Sequence, residues 1–478
     1  MKKNSKKKWF IIISTFILLL LVHLPLLTKN ILTADVLLNN FYYKGYSWEI
    51  SLGRFGLYII GLLKGFTSIP LVDLIPSFII TSIISYFLIK LFDIKGSINT
   101  ILVILIMVLS PIISTIFVFH YCSIGYLIAF LCGVLSTYIF YKSKNKYIRN
   151  IIPIIMIIIC LSMYQAYLSL IITTFVLYNI KLILSKKYKF KDVLHYLILL
   201  VIGIITYFIL MKLTQIIFHI DPSSYSGADS IGINTLLSIP NKFISSYKLT
   251  FEFFFKDTII KNSYFKHYII SITLFILMII FIIKSIIKNK IKISNIILIT
   301  VLILLLPVFL NSVIFVVNET KLQLLMASSY IILPIFIISF NEEKIFKLLL
   351  IIVFTILLRN YYIQVQSTYK SLENTFNSYD LVIKKAIDTK EKNRYMIIGN
   401  IDTKTNINKL NYGYISDLGI FWDEYNLRKI AFTKFVKYYG HKKIEFVDVD
   451  TYNSLLNDKY DKIINHIDDI VIIDFDNI

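Results

Sequence analysis

Charge is what this sequence is shortest of. Only 17% of its 478 residues are Asp, Glu, Lys or Arg, whereas soluble domains carry about a quarter. Acidic side chains are the scarcer half, 29 against 50 Lys and Arg. This shortage excludes an ordinary soluble protein of two or three domains. A hydrophobic content of 57% and a mean hydropathy of +0.72 point instead to a membrane protein.

Other absences narrow the chemistry. The three cysteines, Cys122, Cys132 and Cys160, lie in or beside apolar runs without CxxC spacing, so neither a disulfide framework nor a zinc site is indicated. The seven histidines are scattered and form no HExxH pattern. That scatter disfavours a histidine-built metal centre, and the absence of a glycine-rich phosphate loop disfavours ATP hydrolysis. No cofactor is expected, and nothing indicates a divalent cation. The net charge of +21 comes without arginine-rich arms or a base-reading helix, so nucleic acid is not a partner. The lysines sit between apolar runs, where they set topology and meet anionic headgroups. No small-residue cleavage site follows the first apolar run, which reads as a retained anchor.

What is present is a series of apolar runs. Eleven are expected to span a membrane: residues 9–27, 71–92, 99–119, 122–141, 151–163, 167–184, 194–218, 267–283, 294–317, 326–340 and 347–358. Five lysines precede the first, placing the amino terminus in the cytoplasm by the positive-inside rule. Basic loops at 142–149, 185–191 and 284–292 fall on the same side. The outer loops are then 28–70 and 219–267. The run GLYIIGLLKGF, with its lysine at Lys64, is too short to span and reads as an interfacial helix, as does FEFFFKD at 251–257. Because 151–163 is short, Tyr164 and Gln165 are expected to lie recessed and to face a cavity. From residue 367 the composition turns polar. Strands are expected in RYMIIGNI, KIEFVDV and DIVIIDF, with helices at 372–387, 427–439 and 452–464. The organisation is a transmembrane body over 1–366 and a small extracytoplasmic α/β domain over 367–478.

The polar stretch 28–56 holds the candidate chemistry. Asp35, just above an apolar floor, can take a proton from an attacking hydroxyl, and Glu49 is the alternative base or its partner. An exposed acid in a loop is otherwise simply solvated. Arg54, in GRFG, offers a two-pronged phosphate contact or a snorkelling anchor. Tyr164 and Gln165 can bind sugar hydroxyls or contact headgroups. Lys321, in the polar knot NETKLQ, can meet a second phosphate oxygen or serve as an anchor.

An acidic first outer loop closing on GRFGLYII, a polytopic body with a YQAY turn at 164–167, and an outer tail together resemble the GtrII-type glucosyltransferases. The resemblance covers about residues 9–362. It implies a C-type glycosyltransferase fold and a glucose donor linked to polyprenyl phosphate. The acceptor would be a bacterial cell-surface glycan, reached on the extracytoplasmic face with inversion at the anomeric carbon. A companion flippase and a lipid-sugar synthase are implied as partners. By the same likeness Asp35 is the base, Arg54 holds the donor phosphate, and Tyr164 and Gln165 meet sugar or acceptor. The chain departs from the family pattern where Val36 follows Asp35 in place of a second acid and where Lys321 stands for an arginine near the last spans. Two rivals stand beside it. A surface-polysaccharide polymerase or ligase would want more cations in its outer loops. A lipid-linked sugar flippase or transporter would show internal repeats and charged or broken helices at the midplane.

Overall fold

The computed structural model describes residues 2–39, 41–223, 238–255, 267–315, 323–340, 344–387, 394–399, 429–430, 432–434, 436, 445–456, 458, 460 and 462–475. Among these, eight helices are long and apolar enough to cross a membrane. They are Pro70–Leu91, Ser97–Val118, His120–Lys142, Lys146–Met163, Gln165–Leu184, Phe190–Ile217, His267–Lys288 and Lys347–Ile387. The remaining three expected runs coincide with helix Lys2–Val22 and with the shorter apolar helices Ile293–Leu304 and Leu324–Ile338.

Burial separates the inner helices from the outer ones. Ser97–Val118 is 89% buried over its apolar window and Phe190–Ile217 only 28%. The latter leaves Leu194, Ile198, Val201, Ile205 and Ile209 exposed along its length. Water would penalise such a face, whereas lipid tails are a suitable solvent for it. Close contact between inner helices uses small polar groups, as in the Ser77–Ser123 hydroxyl pair at 2.8 Å. Pro111 lacks an N–H, so the 97–118 span breaks at Ser110 and restarts with proline in the first turn of Pro111–Val118.

One end of the bundle carries the basic loops. Lys142 pairs with Asp93 at 3.0 Å and Arg149 with Asp192 at 2.6 Å. The expected short span at 151–163 is longer than its apolar run. The helix starts at Lys146, inside the basic loop, with Asn145 capping it, and its 18 residues reach roughly 27 Å. The interfacial helix expected at GLYIIGLLKGF is Phe55–Leu63, burying Gly56, Leu57 and Gly61 and exposing Ile59, Leu62 and Leu63. In the loop 219–267 the helix Ile239–Phe255 is described, while 224–237 and 256–266 lie outside the described residues.

The compositional break at 367 is not a structural one. It falls inside a continuous helix, Lys344–Ile387, whose 44 residues reach roughly 66 Å. Beyond it stands a four-stranded sheet: β3 (Arg394–Ile398), β4 (Glu445–Phe446), β5 (Ile464–Ile467) and β6 (Ile470–Asp474), in the order β4-β3-β6-β5. Strands β4, β3 and β6 run parallel, and β5 is antiparallel to β6. Alternation puts Tyr395, Ile397, Val471 and Ile473 on one face, and Met396, Ile398, Ile470 and Ile472 on the other. The helix expected at 452–464 is corrected. Among the described residues of this stretch only Val449–Leu455 is helical, and Ile464 opens β5. The cause is a two-residue hairpin loop, Asp468-Asp469, with Asp468 at φ +50, a conformation acidic residues tolerate. Of the helix expected at 427–439, residues 429–430, 432–434 and 436 are helical and the rest lie outside the described residues.

Candidate active site

The segment between helices Leu24–Thr28 and Pro70–Leu91 folds over the opposite end of the bundle from the basic loops. Thr33 caps a short helix, Ala34–Leu38, by accepting from the Val36 N–H at 3.3 Å. Strands β1 (Phe41–Tyr42) and β2 (Thr67–Ser68) pair antiparallel and close the segment on itself. Between them run helices Ser47–Ser51 and Phe55–Leu63, joined by a turn at Leu52-Gly53-Arg54.

This turn is seated on the bundle by hydrogen bonds from below. Gln165 Nε2 donates to the Leu52 carbonyl at 2.5 Å and to the Tyr207 hydroxyl at 2.8 Å. Tyr207 donates to the Gly53 carbonyl at 3.1 Å, and Gln215 Nε2 reaches the Ile50 and Ser51 carbonyls at 3.3 and 3.2 Å. Gly53 sits at φ +80, and a Cβ there would come within 2.5 Å of Met211 Sδ and 2.7 Å of the Tyr207 oxygen. Only glycine fits both the backbone and the space. The glycine freedom of GRFG therefore serves the contact between the turn and the protein's own helices.

Four expected site residues converge here. Glu49 is buried and accepts from the Tyr43 hydroxyl at 2.8 Å. Its second oxygen lies 3.6 Å from Arg54 Nη1. The Arg54 guanidinium lies over the Tyr164 ring, 4.8 Å from its centre, and Tyr164 stacks on Tyr126 at 4.4 Å. Gln165 is the residue that holds Leu52. Arg54 Nε is buried with no hydrogen-bond partner among the described residues, while the side chain as a whole keeps 20% of its exposure, so the guanidinium is unsaturated and an anion can reach it. Burial works against the Arg54 charge, but Tyr126 and Glu49 outweigh it and hold its pKa above the usual range. Burial, with Glu49 adding to it, raises the Tyr43 hydroxyl well above an ordinary tyrosine, keeping it a neutral donor.

Asp35 stands apart from this group. It is half-buried in the first turn of Ala34–Leu38, the helix whose Val36 and Leu37 pack with the C-terminal sheet, and its charge acts on Tyr121. Tyr121 in turn packs on Tyr43 with ring centres 4.7 Å apart. Lys321 lies outside the described residues, so its expected phosphate role has no geometry here.

A second polar cluster has no counterpart in the sequence reading. Asp73, fully buried, pairs with Lys64 through one oxygen and with His120 Nδ1 at 3.1 Å through the other. Lys64 also donates to the Tyr121 carbonyl at 3.1 Å. His120 Nε2 is buried without a hydrogen-bond partner among the described residues. The signal for this cluster was a carboxylate near the start of an apolar helix, a placement that is costly without a partner. Among the described residues, no group of three His, Cys, Asp or Glu side chains is arranged to hold a metal ion.

The site thus joins a cation, one carboxylate and tyrosines at the rim of a membrane bundle, with Asp35 on a neighbouring helix. Comparison with curated proteins and with solved structures gave no match. The family model for glucosyl transferase GtrII, however, matches residues 24–358, which include every described site residue and more than half of the chain. The chain belongs to the GtrII glucosyl transferase family.

Proposed function

We propose that this glucosyltransferase takes glucose from a polyprenyl-phosphate donor and passes it to a cell-surface glycan on the extracytoplasmic face, inverting the anomeric carbon. The observation that carries the reading is Arg54, a half-buried guanidinium with an unused Nε, held over Tyr164 at the end of the bundle away from the basic loops. A soluble nucleotide sugar needs no site at a bilayer edge, whereas a lipid phosphate arrives there. As the sugar–phosphate bond breaks, negative charge grows on the departing phosphate, and a fixed cation stabilises it. Asp35, half-buried, is the base that receives the proton of the attacking hydroxyl. Glu49, already engaged by Tyr43 and Arg54, orients the cation. Backside attack by a hydroxyl with one base gives inversion. The fold is read as a C-type glycosyltransferase bundle, with a flippase and a lipid-sugar synthase supplying the donor.

The experiment gives purified full-length protein radiolabelled polyprenyl-phosphate glucose together with cell envelopes as acceptor. Label is expected in the glycan with release of polyprenyl phosphate, and none with a nucleotide-linked glucose. Transfer from the nucleotide sugar, or movement of intact lipid across a vesicle bilayer without transfer, rejects the reading.

A further inference from the structure

The short helix that carries Asp35 is anchored in the C-terminal unit. Leu32, Val36 and Leu37, from the first segment, form one hydrophobic core with Phe376 and Tyr379 of the long helix and Phe475 after β6. Val36, Tyr379 and Phe475 are all fully buried, and the Tyr379 and Phe475 rings meet edge to face at 4.7 Å. An ion pair between Lys29 and Glu373, at 2.8 Å, clamps the start of the same segment to the same long helix. Helix Ala34–Leu38 has five residues, capped by Thr33 at its start and Asn39 at its end, and is too short to hold its own shape in isolation. Its orientation is therefore imposed by the surface that buries Val36 and Leu37.

The contact continues toward the cation. Tyr121 packs against this core and against the membrane core alike. Its ring lies on Tyr43, and the Tyr43 hydroxyl holds Glu49 beside Arg54. The family match ends at residue 358, before Phe376 and the sheet.

We propose that the C-terminal unit is a positioning element of the active site, fixing Asp35 through Val36 and Leu37 and steadying Glu49 and Arg54 through Tyr121 and Tyr43. The proposal rests on Asp35 being the base. A base displaced by an ångström loses much of its effect, on the order of 100-fold. Donor binding at Arg54 is farther from the docked helix and is disturbed less.

The test uses the full chain with radiolabelled polyprenyl-phosphate glucose and cell envelopes. Val36→Asp places a charge in the shared core and is expected to lower kcat about 100-fold with the donor KM changed less than about twofold. Val36→Ile, which keeps an apolar side chain in the shared core at the cost of one added methylene, is expected to retain kcat within a few-fold of the wild type. Hydrogen exchange should rise across residues 32–38 in Val36→Asp and stay unchanged across 168–184. Wild-type kcat with raised exchange, or unchanged exchange across 32–38, overturns the proposal. Should Val36→Asp fail to insert, Leu37→Ala decides by the same measurements, with a loss of about tenfold expected. Asp35→Asn, run alongside, separates the two possible failures. A wild-type rate in that variant removes the base assignment, whereas an inactive Asp35→Asn beside an active Val36→Asp removes only the positioning role.

Discussion

The Arg54 guanidinium and the centre of the Tyr164 ring, 4.8 Å apart, join the segment before helix Pro70–Leu91 to the turn between two membrane helices. A desolvated contact of this kind contributes about 2 kcal/mol. Tyr164→Phe keeps the ring and should transfer sugar at close to the wild-type rate. Tyr164→Ala should lower kcat/KM for the donor about 30-fold. Arg54→Lys should not rescue function, because a point charge does not reproduce a planar two-pronged contact. Steady-state kinetics on the three variants decides, and an unimpaired Arg54→Lys would return Arg54 to the role of a lipid anchor.

Two glycines test the seating of the turn. Gly53 and Gly65 both have left-handed backbones, at φ +80 and +59, yet a Cβ meets Met211, Tyr207 and Gln165 at the first and nothing within 4 Å at the second. Gly65→Ala therefore carries the backbone cost alone, about 1 kcal/mol. Gly53→Ala adds a steric clash and should lower the thermal midpoint in detergent clearly more. Equal shifts would mean that the turn is not pressed onto the helices below.

The Asp73 cluster makes a prediction about stability. Asp73→Asn leaves the Lys64 charge buried without its counter-ion and should cost about 3–5 kcal/mol. Adding Lys64→Met removes the orphaned charge and should recover most of the loss. Thermal unfolding of the single and double variants measures this. A double variant no better than the single one would show that the ion pair is not what Asp73 provides.

Much of this was readable from residue order, and the exceptions share a cause. Apolar runs carry their own signal, so each of the eleven expected runs coincides largely with helix over its described residues. The gathering of Glu49, Arg54, Tyr164 and Gln165 was foreseeable because polar groups between apolar runs have few places to go. Asp73 with Lys64 and His120 was hidden, since pairing across three elements leaves no trace in spacing. The core that Val36 shares with Tyr379 and Phe475 was hidden for the same reason. Helix Lys344–Ile387 concealed its continuity because its face changes from apolar to polar as it leaves the bundle, and composition alone reads that change as a boundary.

In the C-terminal unit, Asp448 caps helix Val449–Leu455. Its carboxylate accepts from the Thr451 N–H at 2.8 Å and the Thr451 hydroxyl at 3.0 Å. The backbone bond from Thr451 is the main cause of its lowered pKa. A depressed carboxylate contributes stability that is complete above its unfolded pKa, about 3.9, and is lost as pH falls through the lower folded value. Exchange protection of 449–455, corrected for intrinsic rates, should hold steady from about pH 7 to 5 and fall below about pH 4. In Asp448→Ala that acid step should vanish; its persistence would assign the step to another group.

The roles of the two carboxylates are separable. Asp35 is half-buried on a short helix, whereas Glu49 is buried with one oxygen on Tyr43 and the other beside Arg54. A general base must reach the acceptor hydroxyl, and general-base catalysis contributes about 10² to 10⁴-fold. Asp35→Asn keeps the shape of the side chain, removes the proton acceptor, and should lower transfer by that factor while the protein inserts normally. Glu49→Gln keeps an oxygen for Tyr43 but withdraws the charge facing Arg54. Its main effect should be on donor KM, with a smaller loss in kcat. The opposite pattern, a dead Glu49→Gln beside an active Asp35→Asn, would move the base to Glu49 and leave Asp35 as a solvated acid at the edge of the C-terminal core.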